Sequence, residues 1–307
     1  MKRLLLGQSL MIKAKFIYRH HGFLPLVWLA FPFLFNGCFK SIPYPHEQLD
    51  AFFDRKENLQ LTFKTDKGRQ VAFFVPPLVK PDRVPEKIAI LYPGINAVAL
   101  GWLNFIRQSD DPKAGYLLID YPGRGLSEGL MNPEENYKNT EGALAALAKH
   151  FGVEKLDTEL CLLGHSFGTG AALQFGARQK VSRIVLVAPF DTLRRAVAQR
   201  SAILALLMPV QIDNAALIRS ILASEKPPSI TIVHGSKDTS LPVEMGRKLR
   251  NINPKIIQFY EIPEGDHTSI LKTHRDLIFY TLLGTARLPR TEIALGRSGS
   301  CRAANFN

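Results

Sequence analysis

The sequence predicts an α/β chain: a mostly parallel sheet flanked by helices. Three observations predict it. Apolar runs of about five to eight residues alternate with longer amphipathic stretches, the pattern of buried parallel strands and their crossover helices. Near the start, runs at 59–64 and 70–75 flank Asp66-Lys67-Gly68, a hairpin signal, so the sheet opens with an antiparallel pair. Further on, Gly164-His165-Ser166-Phe167-Gly168 separates an apolar run from a helix start. With 307 residues, 46% of them hydrophobic, the chain can build one large domain or two small ones.

The next apolar run, Lys87 to Tyr92, reads as a strand entering Pro93-Gly94-Ile95-Asn96-Ala97. A loop at that place can supply a backbone N–H for a developing oxyanion, and Ile95 is the candidate, with Asn96 beside it. A simple Pro-Gly turn is the competing reading. After Glu159 to Leu163, the Gly-x-Ser-x-Gly segment reads as a strained strand-to-helix turn that exposes the Ser166 hydroxyl. Glycine at 164 and 168 permits close approach of strand and helix. Phe167 N–H then stands at the positive end of the helix.

A serine hydroxyl is a weak nucleophile until a base takes its proton, and the base needs an orienting carboxylate. Pro228 to Val233 reads as a buried strand running into His234-Gly235-Ser236-Lys237-Asp238. Lys255 to Ile262 reads as another, ending in Pro263-Glu264-Gly265-Asp266-His267 and followed by a helix over 271–283. Ser166, Asp238 and His267 therefore each follow a strand, in the order Ser…Asp…His. Asp266, Glu261 and Glu264 are rival acids. His234 reads as structural, and His165 as a packing or pocket residue. The stretch from Phe190 to Lys226 is the longest between core strands. It carries Ala202 to Val210 and a helix over 214–223, and forms either a lid over the site or core helices.

Together these segments resemble the α/β-hydrolase superfamily, and most closely its small serine hydrolases related to membrane-associated depalmitoylases and lipid esterases. Asp120-Tyr121-Pro122-Gly123-Arg124-Gly125-Leu126-Ser127 is similar to that group's Asp-Tyr-x-Gly-x-Gly-x-Ser loop. The elbow, Ala188-Pro189-Phe190-Asp191, the His234–Pro242 segment and Gly265-Asp266-His267 complete the likeness over about residues 57–285. The resemblance implies an eight-stranded sheet with a small helical lid over 190–226. It also implies a catalytic Ser166, His267 and Asp238, an oxyanion pair at Phe167 and Ile95, and cleavage of an ester, thioester or lipid without a metal or organic cofactor. One departure stands out: the group's His-Gly-Asn-Ala loop is replaced by Tyr92-Pro93-Gly94-Ile95-Asn96-Ala97. Rival readings are a peptidase or amidase, an acyltransferase, and a non-catalytic envelope lipoprotein.

The formal charge of +12 is unevenly spread. Five basic residues and no acid lie in residues 1–37, and the 286–307 tail holds four arginines against Glu292, leaving about +4 for the body. No element concentrates basic residues as a nucleic-acid reader does, so no nucleic-acid partner is expected. Residues 23–35 are apolar but too short for the ~20 residues of a comfortable bilayer span. With the basic stretch before them and Asn36-Gly37-Cys38 after, residues 1–37 read as a signal peptide, and Cys38 resembles the lipidated first residue of a bacterial lipoprotein. A start at Met11 would give a more ordinary signal length. These readings predict a membrane-anchored cell-envelope protein, with an uncleaved signal anchor or a secreted protein as the competing readings, and residues 38–56 as a tether in which Phe39, Ile42, Tyr44, Phe52 and Phe53 pack on the body. Cys161, in the strand under the elbow, reads as a small buried hydrophobe. Cys301 falls in the tail, which reads as disordered, and no structural disulfide is expected.

Overall fold

The computed structural model describes residues 43–109, 111–207 and 212–284. The signal-peptide, Cys38 and tail readings, and the 208–211 part of the insertion, lie outside the described residues. Contacts divide the chain into Met1–Lys40 and Ser41–Asn307; the fold below is that of the second unit.

Helix α1 (His46–Phe53) precedes the hairpin β1 (Leu59–Thr65) and β2 (Gly68–Val75). The turn is tighter than the sequence indicates. Gly68, at φ +112°, already pairs with Thr65, which only a residue without Cβ accommodates comfortably. β3 (Lys87–Tyr92), β4 (Ala114–Ile119), β5 (Glu159–His165), β6 (Arg183–Val187), β7 (Ser229–Gly235) and β8 (Ile257–Ile262) complete one sheet. Its order is β1-β2-β4-β3-β5-β6-β7-β8. The β1–β2 and β2–β4 pairs are antiparallel, and every later pair is parallel. The central strands are buried on both faces, so they read as continuous apolar runs rather than alternating ones.

The crossovers are helical. α2 (Leu103–Ile106) follows a short 3-10 turn, and α3 (Pro133–His150) links β4 to β5. α4 (Gly168–Gly176) follows the elbow; α5 (Leu193–Ala198), α6 (Ala202–Leu207) and α7 (Asn214–Leu222) fill the insertion. α8 (Val243–Arg250) connects β7 to β8. The helix expected over 271–283 is two helices, α9 (Ser269–Thr273) and α10 (Arg275–Leu283), parted at His274 with φ −120° and ψ 28°. Among the described residues, no helix is long and apolar enough to cross a membrane.

Of the side chains expected to pack on the body, Tyr44 and Phe52 are buried, Phe53 stays 52% exposed, and Phe39 and Ile42 lie outside the described residues. Phe52 is fully buried and meets Phe73 edge-to-face, with ring centroids 5.0 Å apart. The Tyr44 hydroxyl donates to Asp120 Oδ2. Asp120 follows β4 at full burial, and its Oδ1 accepts from Ala99 N–H at 2.8 Å. Burial pushes its pKa up to about 7, against the opposing pull of those hydrogen bonds.

Candidate active site

In a parallel sheet, the loops after the strands gather at one edge, where ligands bind. The loops after β3, β5, β7 and β8 hold Ile95, Ser166, Asp238 and His267. Ser166 sits between β5 and α4 with φ +55°, a left-handed conformation costly for a residue with Cβ. Its N–H donates to Val187 O at 2.9 Å, pinning the turn to β6. The flanking glycines are required by contact. A Cβ at 164 would stand 2.4 Å from Gly168 O, and one at 168 would stand 2.2 Å from Tyr92 O.

His267 stands opposite. Its Nε2 is 2.9 Å from Ser166 Oγ, and its Nδ1 is 2.7 Å from Asp238 Oδ2. An ionised carboxylate only accepts, so Nδ1 carries the proton and Nε2 presents its lone pair to the serine hydroxyl. Asp238 has a fully buried side chain. Burial alone would raise its pKa, but hydrogen bonds from His234, His267 and the Leu241 N–H outweigh it and hold the carboxyl well below the usual range. Ser240 N–H and Leu241 N–H each donate to Oδ1 at 2.8 Å. The loops of Asp238 and His267 are stitched together by Ser236 N–H to Ile262 O and Lys237 N–H to Gly265 O, both 2.9 Å.

The rival acids point elsewhere. Asp266 Oδ1 accepts from Thr268 N–H and Ser269 N–H at 2.8 and 2.7 Å. Glu261 pairs with Arg247, and Glu264 with Lys237. Cys161 is fully buried in β5, and burial pushes its thiol up to about 12, so the thiolate is not formed at neutral pH.

Phe167 is the N-cap of α4, and an N–H at that place has no intrahelical acceptor. Its ring meets Tyr121 edge-to-face with centroids 5.6 Å apart. Gly94 lies beside the elbow, where an added Cβ would be 3.7 Å from Ser166 Cβ, and Ile95 is the next residue along the chain.

Two histidines have contacts that sequence reasoning did not give them. His234, fully buried at the end of β7, donates from Nε2 to Leu241 O at 2.8 Å, with the same nitrogen 3.4 Å from Asp238 Oδ2. His165, a packing or pocket residue by sequence, lies with Nε2 2.9 Å from the backbone oxygen of His267. The partner of His165 lies 102 residues along the chain, whereas those of His234, Asp238 and Leu241, lie within the segment from His234 to Pro242 that the sequence already marks.

The sheet order, the left-handed elbow and the loops around it define the α/β-hydrolase fold. A family model described as alpha/beta hydrolase fold matches residues 90–209. Among solved structures, an alpha-beta hydrolase from Vibrio vulnificus is similar at 16% identity and TM-score 0.63, over 85% of this chain and 95% of that one. The Pyrococcus furiosus esterase Pf2001 is similar at 12% identity and TM-score 0.58, over 80% and 97%. A Pyrococcus horikoshii acylaminoacyl peptidase is similar at 7% identity and TM-score 0.55, over 72% and 40%. A comparison with curated proteins finds no match. An esterase and a peptidase share this architecture, so the fold alone does not select the bond cleaved.

Proposed function

We propose that this chain is a serine hydrolase that cleaves a carboxylic ester or thioester of a small acyl or lipid substrate. The observation that carries the reading is the unbroken hydrogen-bond chain from Ser166 Oγ through His267 to Asp238, at 2.9 and 2.7 Å. Ser166 Oγ attacks the carbonyl carbon while its proton passes to His267 Nε2. Asp238 keeps the imidazole in the Nδ1–H form and stabilises it when charged. The N–H groups of Phe167 and Ile95 receive the oxyanion, each worth about 3–4 kcal/mol of transition-state stabilisation. His267 returns the proton to the leaving alcohol or thiol. Water then attacks the acyl-enzyme, giving its proton to His267, and releases the acid and the free serine.

In this reading the α5–α6 part of segment 190–226 is the lid, and α7, packed on α4, belongs to the body. Residues 1–37 are a signal peptide and Cys38 carries the lipid anchor at the cell envelope, a reading supported by the sequence pattern alone. Loss of radiolabelled fatty-acid incorporation in Cys38→Ala would support it; unchanged labelling would remove it.

Fluorophosphonate labelling of the full-length protein beside Ser166→Ala tests the chemistry. Labelling that vanishes with the hydroxyl is expected, followed by turnover of an ester or thioester in a panel that includes amides. A folded wild-type protein that neither labels nor turns over any member would overturn it and favour a binding role. Turnover confined to amides would move the assignment to the peptidases.

A further inference from the structure

His165 occupies the position before the nucleophile, which the elbow motif leaves open. Its ring is buried. A carbonyl oxygen only accepts, so the 2.9 Å contact between His165 Nε2 and His267 O is an Nε2–H donation. The two rings lie 5.0 Å apart, centroid to centroid. Gly94 backs the His165 ring, where a Cβ would stand 3.4 Å from Nδ1.

Two bonds therefore run from the dipeptide His165-Ser166 to one residue of the loop after β8. One meets the backbone of His267 and the other its imidazole. A single bond to a ring leaves the loop beneath it free to drift, whereas a second bond to the backbone fixes where the ring starts from. Displacements of about 1 Å at a catalytic group cost on the order of 100-fold in rate, so such a fix acts directly on turnover.

We propose that His165 is a positioning residue that ties the His267 loop to the elbow and so sets the distance between Ser166 and the base. The inference rests on the serine-hydrolase reading. Burial pushes the His165 pKa down to about 4, so the ring stays neutral at pH 7 and adds no charge beside His267.

The test compares His165→Met with His165→Gln in the full-length protein, using p-nitrophenyl butyrate. Glutamine reaches about as far from Cβ as the imidazole and keeps an N–H at its tip, while methionine fills similar space without a donor. The expected result is a roughly tenfold fall in kcat for His165→Met with KM within about twofold, and recovery to within about threefold in His165→Gln, at matching Tm. Equal impairment of both variants, a change confined to KM, or full kcat in His165→Met would overturn the proposal. Should the wild type prove inactive, the serine-hydrolase reading fails separately. The low-field Nδ1–H proton of His267 then decides: broadening in His165→Met but not His165→Gln supports the tie, and identical signals in all three overturn it.

Discussion

Two segments leave the carboxyl edge of the sheet, and the chain is held very differently in each. Between β5 and α4 the backbone turns within a few residues, with Gly168 in contact with the Tyr92 carbonyl and Ser166 N–H bound to β6. Between β6 and β7 the chain makes three helices. α5 buries no residue, and α6 buries Ala205 alone while Ile203 and Leu206 are 73% and 74% exposed. Side-chain bonds fasten its start and the N-terminus of α7. Asp191 ties Arg195 and Lys248, and Asn214 Nδ2 donates to Phe190 O at 2.8 Å and Thr169 Oγ1 at 3.2 Å. Geometry that must hold to fractions of an ångström is built where backbone touches backbone. The part with loose side chains is free to differ in shape.

Substitutions can break or sharpen that contrast. The largest effect is expected at Asp238→Asn, which keeps the shape but loses the charge and favours the wrong His267 tautomer. Steady-state kinetics should show kcat down roughly 10³–10⁴-fold. Gly168→Ala should follow, because its methyl group meets main chain that cannot move aside. Denaturant titration should show a loss of about 3 kcal/mol or more, or no folded protein.

Asp120, on the same packed edge, has its pKa raised to about 7 from an unfolded value near 4, so the native state holds the proton more tightly. That contribution is complete below about pH 4 and is lost as pH rises through about 7. Wild-type Tm should fall by several degrees between pH 5 and pH 8 relative to Asp120→Asn, in which this dependence is absent. The smallest effect is expected on the insertion: Ile203→Ser with Leu206→Ser should change unfolding free energy by less than about 0.5 kcal/mol. A large destabilisation there would erase the contrast between the two segments.

Much of the edge was legible in the sequence because buried parallel strands are apolar runs with polar punctuation. Ser166, Asp238 and His267 each stand directly after such a run. The order of the strands in the sheet, and with it the bond of His165 to His267, depends on partners far along the chain that no local pattern encodes. α3 gives a weak helical signal, since its buried face is polar over the first turns, at Glu135, Asn136, Asn139 and Thr140, and turns apolar only from Ala143 to Ala148. Its start was nonetheless written in Asn132-Pro133-Glu134-Glu135: the Asn132 side chain caps Glu135 N–H at 3.0 Å, with proline in the first turn. The break at His274 has no glycine or proline as a marker in the sequence.

The left-handed backbone at Ser166 has a consequence for how this chain would age under mutation. A residue with Cβ costs about 1–2 kcal/mol there, so glycine at 166 would give the more stable protein. A lineage with no use for the hydroxyl would therefore gain by losing it. The serine stands against the slope of stability, and a descendant freed from its chemistry would be expected to slide down that slope at this position before most others.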